Sequence, residues 1–367
     1  MVNEISAFKV EKNLSPLQKL RSKILFLFRL TDQKVLKVYH GYGNHHELVL
    51  FGHVFKLSPL PRKRYRKNFW TNILSLLRSF MVQPVAGATV SVEINGKRID
   101  TVSAADGFFR LDWKTTEVLK AGLITVQVQL RKSSDANAPV ISTSPGYVII
   151  PHQNQYACIS DIDDTFLISH SATIFKKLYV LFTKNAHSRK PFEGVVKHYK
   201  LLANAHAGAD MSNPFFYVSS SEWNLYDFIK EFIRKNELPE GVFLLSQVKK
   251  LPEVFKTGAN KHATKFMRIA RVLEAYPTRK FILLGDDSQM DPVIYASIVE
   301  HFPGIICCVY LRHVYEKNVT NVRELIKKIE AAGVPCCHFE HSRDAISHSV
   351  GLGLITELEL TNYLMES

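Results

Sequence analysis

Hydrophobic and polar positions change rhythm once along this chain. From about residue 47 the apolar residues come in short alternating runs: ELVLFGHVF, ATVSVEINGKRIDTV, FFRLDW, ITVQVQL and GYVIIP. Alternation with period two marks strands that bury one face. Asn95-Gly96 and Asp106-Gly107 fall between such runs and are hairpin turn signals. Together they predict a small β-sandwich-like domain over residues 47–150. Inserted in it is PRKRYRKNFWTNILSLLRSFM, a basic cluster leading into an apolar stripe at helical spacing. Residues 1–46 mix apolar and basic positions, as in LQKLRSKILFLFRL, and predict a helical, basic arm.

After Pro151 the rhythm alternates between strand and helix. YACIS, PFFYVSS, FILLGDD and IICCVYLR are short apolar runs that end in polar residues, and NLYDFIKEFIRKN and HATKFMRIARVLEAYP lie between them with helical spacing. This order predicts an α/β domain with a parallel sheet over 151–340, followed by a helical tail over 341–367. In such sheets, sites form at the carboxyl ends of the strands.

Composition narrows the setting. A hydrophobic fraction of 46% and a charged fraction of 22% over 367 residues suit a globular protein of about two domains. The chain has no run of about 18 uninterrupted apolar residues, and MVNEISAFKVEKNLS does not read as a secretory signal. Four of the five cysteines form the vicinal pairs Cys307-Cys308 and Cys336-Cys337, which predicts a reducing, cytoplasmic setting rather than a disulfide framework. The net charge of +13 is lopsided: residues 1–150 hold 22 Lys/Arg against 10 Asp/Glu, leaving 25 against 24 in the rest. Such asymmetry suggests a polyanionic partner. No nucleic-acid-binding motif accompanies it, so an anionic membrane surface, with peripheral attachment, is the expected partner.

Four strand-end or helix-start features follow one another in the second half. SDIDDT places Asp161, Asp163 and Thr165 two apart; PFFYVSSS ends an apolar run at Ser219; Lys265 opens KFMRIARVL; FILLGDDSQMD ends a strand in Asp286 and Asp287, with Asp291 beyond. A carboxylate can attack phosphorus and carry the phosphoryl group, splitting a hard hydrolysis into two easier steps. Mg²⁺ held by carboxylate oxygens removes the repulsion between the attacking group and the phosphate. A second carboxyl protonates the leaving alkoxide. A hydroxyl and an ammonium stabilise the charge in transfer.

These motifs resemble the haloacid dehalogenase superfamily, whose D-x-D-x-T signature DIDDT fits. SDIDDT, YVSSSEWNLYDF, the lysine helix with EAYP, and FILLGDDSQMDPVIY together resemble the actin-patch-protein type of phosphatidate phosphatase, strongly over residues 151–315. NAHSRKPFEGVVKHY is similar to that family as well. The resemblance implies a haloacid-dehalogenase-like Rossmannoid domain that hydrolyses phosphatidate to diacylglycerol and phosphate with Mg²⁺. Asp161 would be nucleophile and metal ligand. Asp163 would be the acid/base, with its carbonyl on the metal, and Thr165, Ser219 and Lys265 would hold the phosphoryl group. Asp286 would complete the metal site, with Asp287 or Asp291 joining directly or through water. A phosphatase of phosphoproteins or soluble metabolites, and a non-catalytic lipid-binding scaffold, are the alternatives.

Other features have plainer readings beside the sharper ones. An EF-hand loop would need Gly where Phe166 stands. Lys261 lies one turn before Lys265 and competes for its role. Ser220 and Ser221 suit a helix cap near Glu222, leaving Ser219 for chemistry. Cys336, Cys337 and His338 lack the spacing of a structural zinc site, and the cysteines are expected in the core. His187 and His198 are expected at the surface. Arg189 suits a bidentate phosphate contact as well as a plain surface charge. SATIFKKLYVLF reads first as a packed helix, and the stripe after Arg62–Lys67 equally as a packed or an interfacial helix.

Overall fold

The computed structural model describes residues 33–56, 79–135, 137–152, 156–162, 194–207, 212–247, 261–287, 290–314 and 319–366. The predictions for the basic insert near 62–78 and for the 171–182 stripe lie outside these residues.

The first half supplies β1 (Val35–Val38), β2 (Gly41–Gly43), β3 (Glu47–Lys56), β4 (Gln83–Pro84), β5 (Thr89–Ile94), β6 (Lys97–Val102), β7 (Phe108–Lys114), β8 (Gly122–Arg131) and β9 (Val140–Ile150). Their alternating apolar residues face one core, in which Val54, Val90, Val128 and Leu130 are fully buried. Asn95 and Gly96 both take positive φ, which lets the tight β5–β6 turn follow the strand twist. Hydrogen bonds join the nine described strands into one mixed sheet, in the order β1-β3-β2-β9-β8-β5-β6, with β4 and β7 also pairing with β3. The sequence pattern predicts a sandwich, yet the pairing runs on without separating into two sheets.

The sheet also begins earlier than residue 47. β1 and β2 lie in the segment predicted to be a helical arm, and β1 pairs antiparallel with β3. These strands have only four and three residues, too few for a period to show in the sequence. Glycine is required in β2, where a Cβ on Gly41 would stand 2.2 Å from the Val49 carbonyl oxygen.

The second half supplies β10 (Ala157–Asp161), β11 (Phe215–Glu222), β12 (Gly241–Ser246), β13 (Phe281–Asp286), β14 (Ile306–Arg312) and β15 (Cys336–Phe339). Helices α1 (Val195–Asn204), α2 (Tyr226–Lys235), α3 (Lys261–Ala275), α4 (Asp291–His301), α5 (Val319–Ala331), α6 (Ser342–Gly351) and α7 (Glu357–Glu366) connect and follow them. The strands form one parallel sheet ordered β12-β11-β10-β13-β14-β15. Strands covered on both faces bury continuous apolar runs, as β10 and β13 do along their whole length. The chain winds outward from β10 through β11 to β12, then restarts at β13 on the other side. The boundary between β10 and β13 is therefore the topological switch point, where an open sheet leaves a crevice at its carboxyl edge.

The C-terminal helices are part of this domain, since Ala345 and Ile346 of α6 are buried in its core. His198, expected at the surface, is buried in α1, and its Nε2 lies 2.9 Å from Ser349 Oγ on α6. Of the cysteines expected in the core, Cys158 and Cys308 are buried, Cys307, Cys336 and Cys337 are half-buried against it, and all five are free thiols.

The two halves share a core. Tyr39 stacks on Trp223 with centroids 4.2 Å apart. The Tyr276 hydroxyl donates to the Gly43 carbonyl at 2.8 Å, and Lys37 pairs with Asp227 at 2.7 Å.

Candidate active site

β10 delivers Asp161 to the switch point. Register places Ser160 beside Leu284, so Asp161 stands next to Gly285 and Asp286 at the end of β13. Asp161, Asp286 and Asp291 are each 1% exposed. Buried carboxylates need compensation, and Lys265 of α3 supplies part of it. Its Nζ lies 2.7 Å from Asp161 Oδ1 and also donates to Asp291 Oδ1. Lys261, the competing lysine, opens the same helix one turn earlier.

Gly285 makes room for this pairing. A Cβ there would sit 2.5 Å from Asp291 Oδ2 and 2.9 Å from the Tyr295 ring. Tyr295 is fixed by donating to the Leu284 carbonyl at 2.8 Å. Burial above all, and then the charges of Asp291 and Asp161, push its hydroxyl well up.

Ser219 is fully buried on β11, one strand over. Its Oγ accepts from the Ser221 backbone N–H at 2.9 Å, and Arg268 Nη1 donates to its carbonyl at 3.0 Å. The turn after β11 is the short 3-10 segment Trp223–Leu225, where Glu222 occupies the cap position without a side-chain cap bond. Arg268 and Tyr295 are supporting residues that sequence reasoning missed. Arg268 lies three residues after Lys265 on the helix, a spacing that puts both on neighbouring positions of one face.

Asp287 faces other partners. Its Oδ1 accepts from the Val314 N–H at 2.7 Å, and its Oδ2 lies 2.5 Å from His313 Nδ1 and 3.0 Å from His338 Nε2. Burial alone would raise this carboxyl. The bonds from His338, His313 and Val314 outweigh that and hold it below the usual range. Among the predicted site residues, the structure thus brings Asp161, Lys265, Asp286 and Asp291 together and gives Asp287 to the histidines. Asp163, Thr165 and Arg189 lie outside the described residues.

The donor set suits Mg²⁺. Among the described residues, the buried carboxylates of Asp161 and Asp291 share the Lys265 ammonium and buried Asp286 ends the neighbouring strand, so even counting Arg312, which stands across from Asp286 on β14, negative charge is in excess. Hard oxygen ligands of this kind are what Mg²⁺ takes.

A cavity of about 460 Å³ opens between the two halves, walled by Phe51 and Phe108 from one and Trp223 and Met267 from the other, with Asp106, Arg110, Arg268 and Arg271 also lining it. The helix carrying Lys265 forms part of that wall.

A parallel sheet with carboxylates and a lysine at its switch point is an α/β architecture with its polar groups where such sheets bind ligands. Residues 156–313 match the family described as "Phosphatidate phosphatase APP1, catalytic domain". The chain is 29% identical over 247 residues to phosphatidate phosphatase APP1 of Saccharomyces cerevisiae, covering 64% of this chain and 40% of that protein. It is 24% identical over 215 residues to an uncharacterized protein of Schizosaccharomyces pombe, covering 57% of this chain and 33% of that one. The chain therefore spans less than half the length of these relatives. Among solved structures, a carbohydrate acetylesterase from Xanthomonas citri aligns at 10% identity over 83% of this chain and 68% of that one, with a TM-score of 0.30, too distant to argue from.

Proposed function

We propose that this chain is a haloacid-dehalogenase-like, magnesium-dependent phosphatase that hydrolyses phosphatidate to diacylglycerol and phosphate. The observation that carries the reading is the buried Asp161 carboxylate at the switch point, held at 2.7 Å by the Lys265 ammonium. A carboxylate so placed attacks phosphorus in line with the leaving oxygen. The O–P bond to the lipid breaks as Asp163 gives its proton to the departing alkoxide, and Asp161 carries the phosphoryl group. Asp163 then takes a proton from water, whose oxygen attacks the same phosphorus and frees Asp161 and inorganic phosphate.

Lys265 offers its charge to the phosphoryl oxygens, and Asp291 keeps it in place on the other side. Ser219, oriented by the Ser221 N–H, and Thr165 add hydroxyl contacts. Asp161, the Asp163 carbonyl and Asp286 would hold Mg²⁺, with Asp291 beside them. When bound, the ion offsets the repulsion between carboxylates and phosphate. Arg189 is suited to the lipid phosphate.

The cavity between the halves, with aromatic and aliphatic walls and Asp106, Arg110, Arg268 and Arg271 among its lining, suits a lipid substrate. The excess of basic residues in the first 150 suits peripheral attachment to an anionic membrane from the cytoplasm. Among the described residues, no helix is long and apolar enough to cross a membrane.

The test is phosphate release from phosphatidate in mixed micelles with Mg²⁺, run beside phosphopeptides and sugar phosphates. Release from the lipid, abolished by chelator and by Asp161→Asn, is the expected result. Preference for the soluble phosphomonoesters would replace the lipid with a protein or metabolite substrate. Lipid binding without any release would make the domain a scaffold.

A further inference from the structure

Asp287, His313 and His338 are far apart in sequence but come from three neighbouring strand ends. Asp287 follows β13, His313 follows β14, and His338 lies on β15. The Asp287 N–H donates to the Arg312 carbonyl at 3.0 Å and the His313 N–H to the Phe339 carbonyl at 2.7 Å, so the sheet itself holds the three in register. Their ligand atoms all lie within 4.8 Å of one another. The geometry points to a second metal site, Asp287–His313–His338, that takes a borderline divalent transition ion of the Zn²⁺ type and is distinct from the carboxylate–lysine site at Asp161.

Donor chemistry separates the two sites. Two imidazoles and one carboxylate suit zinc and its neighbours, whereas Mg²⁺ prefers oxygen alone. The carboxylate already has the orientation a ligand needs, because the Val314 N–H fixes Oδ1 and Oδ2 is the oxygen that meets both rings. A hydrogen bond to the ligating carboxylate is what sets ligand direction in metal sites. The ring side chains are 20% and 23% exposed, so an ion can reach them and a water can complete the shell.

Spacing is compatible with a small opening. Zinc bonds of about 2.0–2.2 Å put tetrahedral ligand atoms roughly 3.3 Å apart. The present N–O separations of 2.5 and 3.0 Å would widen by about 0.8 and 0.3 Å to reach that spacing. Binding would replace the ring protons that now face Oδ2. Because Asp287 adjoins Asp286, an ion here would tie the end of β13 to β14 and β15.

The test is equilibrium dialysis of the full chain against Zn²⁺ in a large excess of Mg²⁺, with bound zinc counted by atomic emission. One zinc per chain is expected, with a higher unfolding midpoint when zinc is present. His313→Ala and His338→Ala should each lose the zinc and the shift in midpoint, while Asp161→Asn and Cys337→Ser keep both. If the alanine variants fail to fold, Asp287→Asn, which keeps the shape and the Val314 bond, decides by losing zinc. No zinc on the parent protein, zinc retained by the histidine or Asp287 variants, or zinc lost with Asp161→Asn would each overturn the site. None of these readouts depends on phosphatase activity, so the assigned reaction and this site stand or fall separately.

Discussion

Lys265 Nζ lies 2.7 Å from Asp161 Oδ1 and bonds Asp291 Oδ1 on its other side, and all three residues are almost fully buried. One ammonium thus sets the spacing between the terminus of β10 and the first turn of α4. An ion pair with two carboxylates holds a lysine in a single position, as the proposed phosphoryl contact requires of it.

Replacing Lys265 with methionine keeps most of its volume and removes the charge. Two buried carboxylates then lose their counter-charge, a change that costs about 3–5 kcal/mol when a buried pair is broken. Losing one preorganised donor lowers kcat by about 10²–10³. Phosphate release and urea denaturation of Lys265→Met against Lys261→Met check this. Lys261→Met should retain most activity, and equal loss in both variants would shift the role to the earlier lysine.

Gly285→Ala should damage the same pairing without removing a charged group. The new Cβ would stand 2.5 Å from Asp291 Oδ2 and 2.9 Å from a tyrosine ring that its own hydroxyl anchors. Asp291 can yield and Tyr295 cannot, so the carboxylate is pushed from Lys265. Overpacking of this kind costs about 1–3 kcal/mol, and activity should fall further than stability does. Steady-state kinetics beside a thermal melt separates the two effects.

Much of this site was legible because a parallel sheet gathers its chemistry at the strand ends, and each such end showed in the sequence as an apolar run closed by polar residues. Asp161, Ser219 and Asp286 all stand at such closures, and Lys265 lies on the helix leading into β13. What stayed hidden depends on contacts across long separations. His198 reads as a surface residue until Ser349, 151 positions away, is seen beside it. Asp287 reads as one more acidic ligand until His313 and His338, 26 and 51 positions on, are seen at its Oδ2. β1 and β2 were hidden for another reason: strands of four and three residues carry too little alternation to register.

Trp223 should hold the halves together. It stacks on Tyr39 at 4.2 Å, meets Phe51 edge-on at 5.6 Å, and is 6% exposed. Trp223→Ala removes the aromatic surface that both halves share, at about 3–5 kcal/mol. A single urea transition in the parent protein should split into two in the variant, with the β-rich half and the parallel-sheet half unfolding apart. Circular dichroism and tyrosine fluorescence followed together would show the separation, and coincident transitions in the variant would refute it.

Acid should destabilise the fold through two histidines that fold in the neutral form. Burial, and then Lys37, lowers His53 to about 3; burial, and then His348, lowers His198 to about 3. Unfolded imidazole titrates near 6.5, so below that pH the unfolded chain binds protons that the folded chain refuses. Stability therefore rises with pH across the window from about 3 to 6.5 and is level above it as far as these groups are concerned. Each histidine contributes a slope of at most about 1.4 kcal/mol per pH unit there. His198→Gln preserves a polar partner for Ser349 and cannot titrate. Urea midpoints measured at neutral pH and at about pH 5 should differ less in this variant than in the parent, and His53→Gln should flatten the profile further when combined with it. An unchanged pH slope in both variants would place the acid sensitivity elsewhere in the molecule.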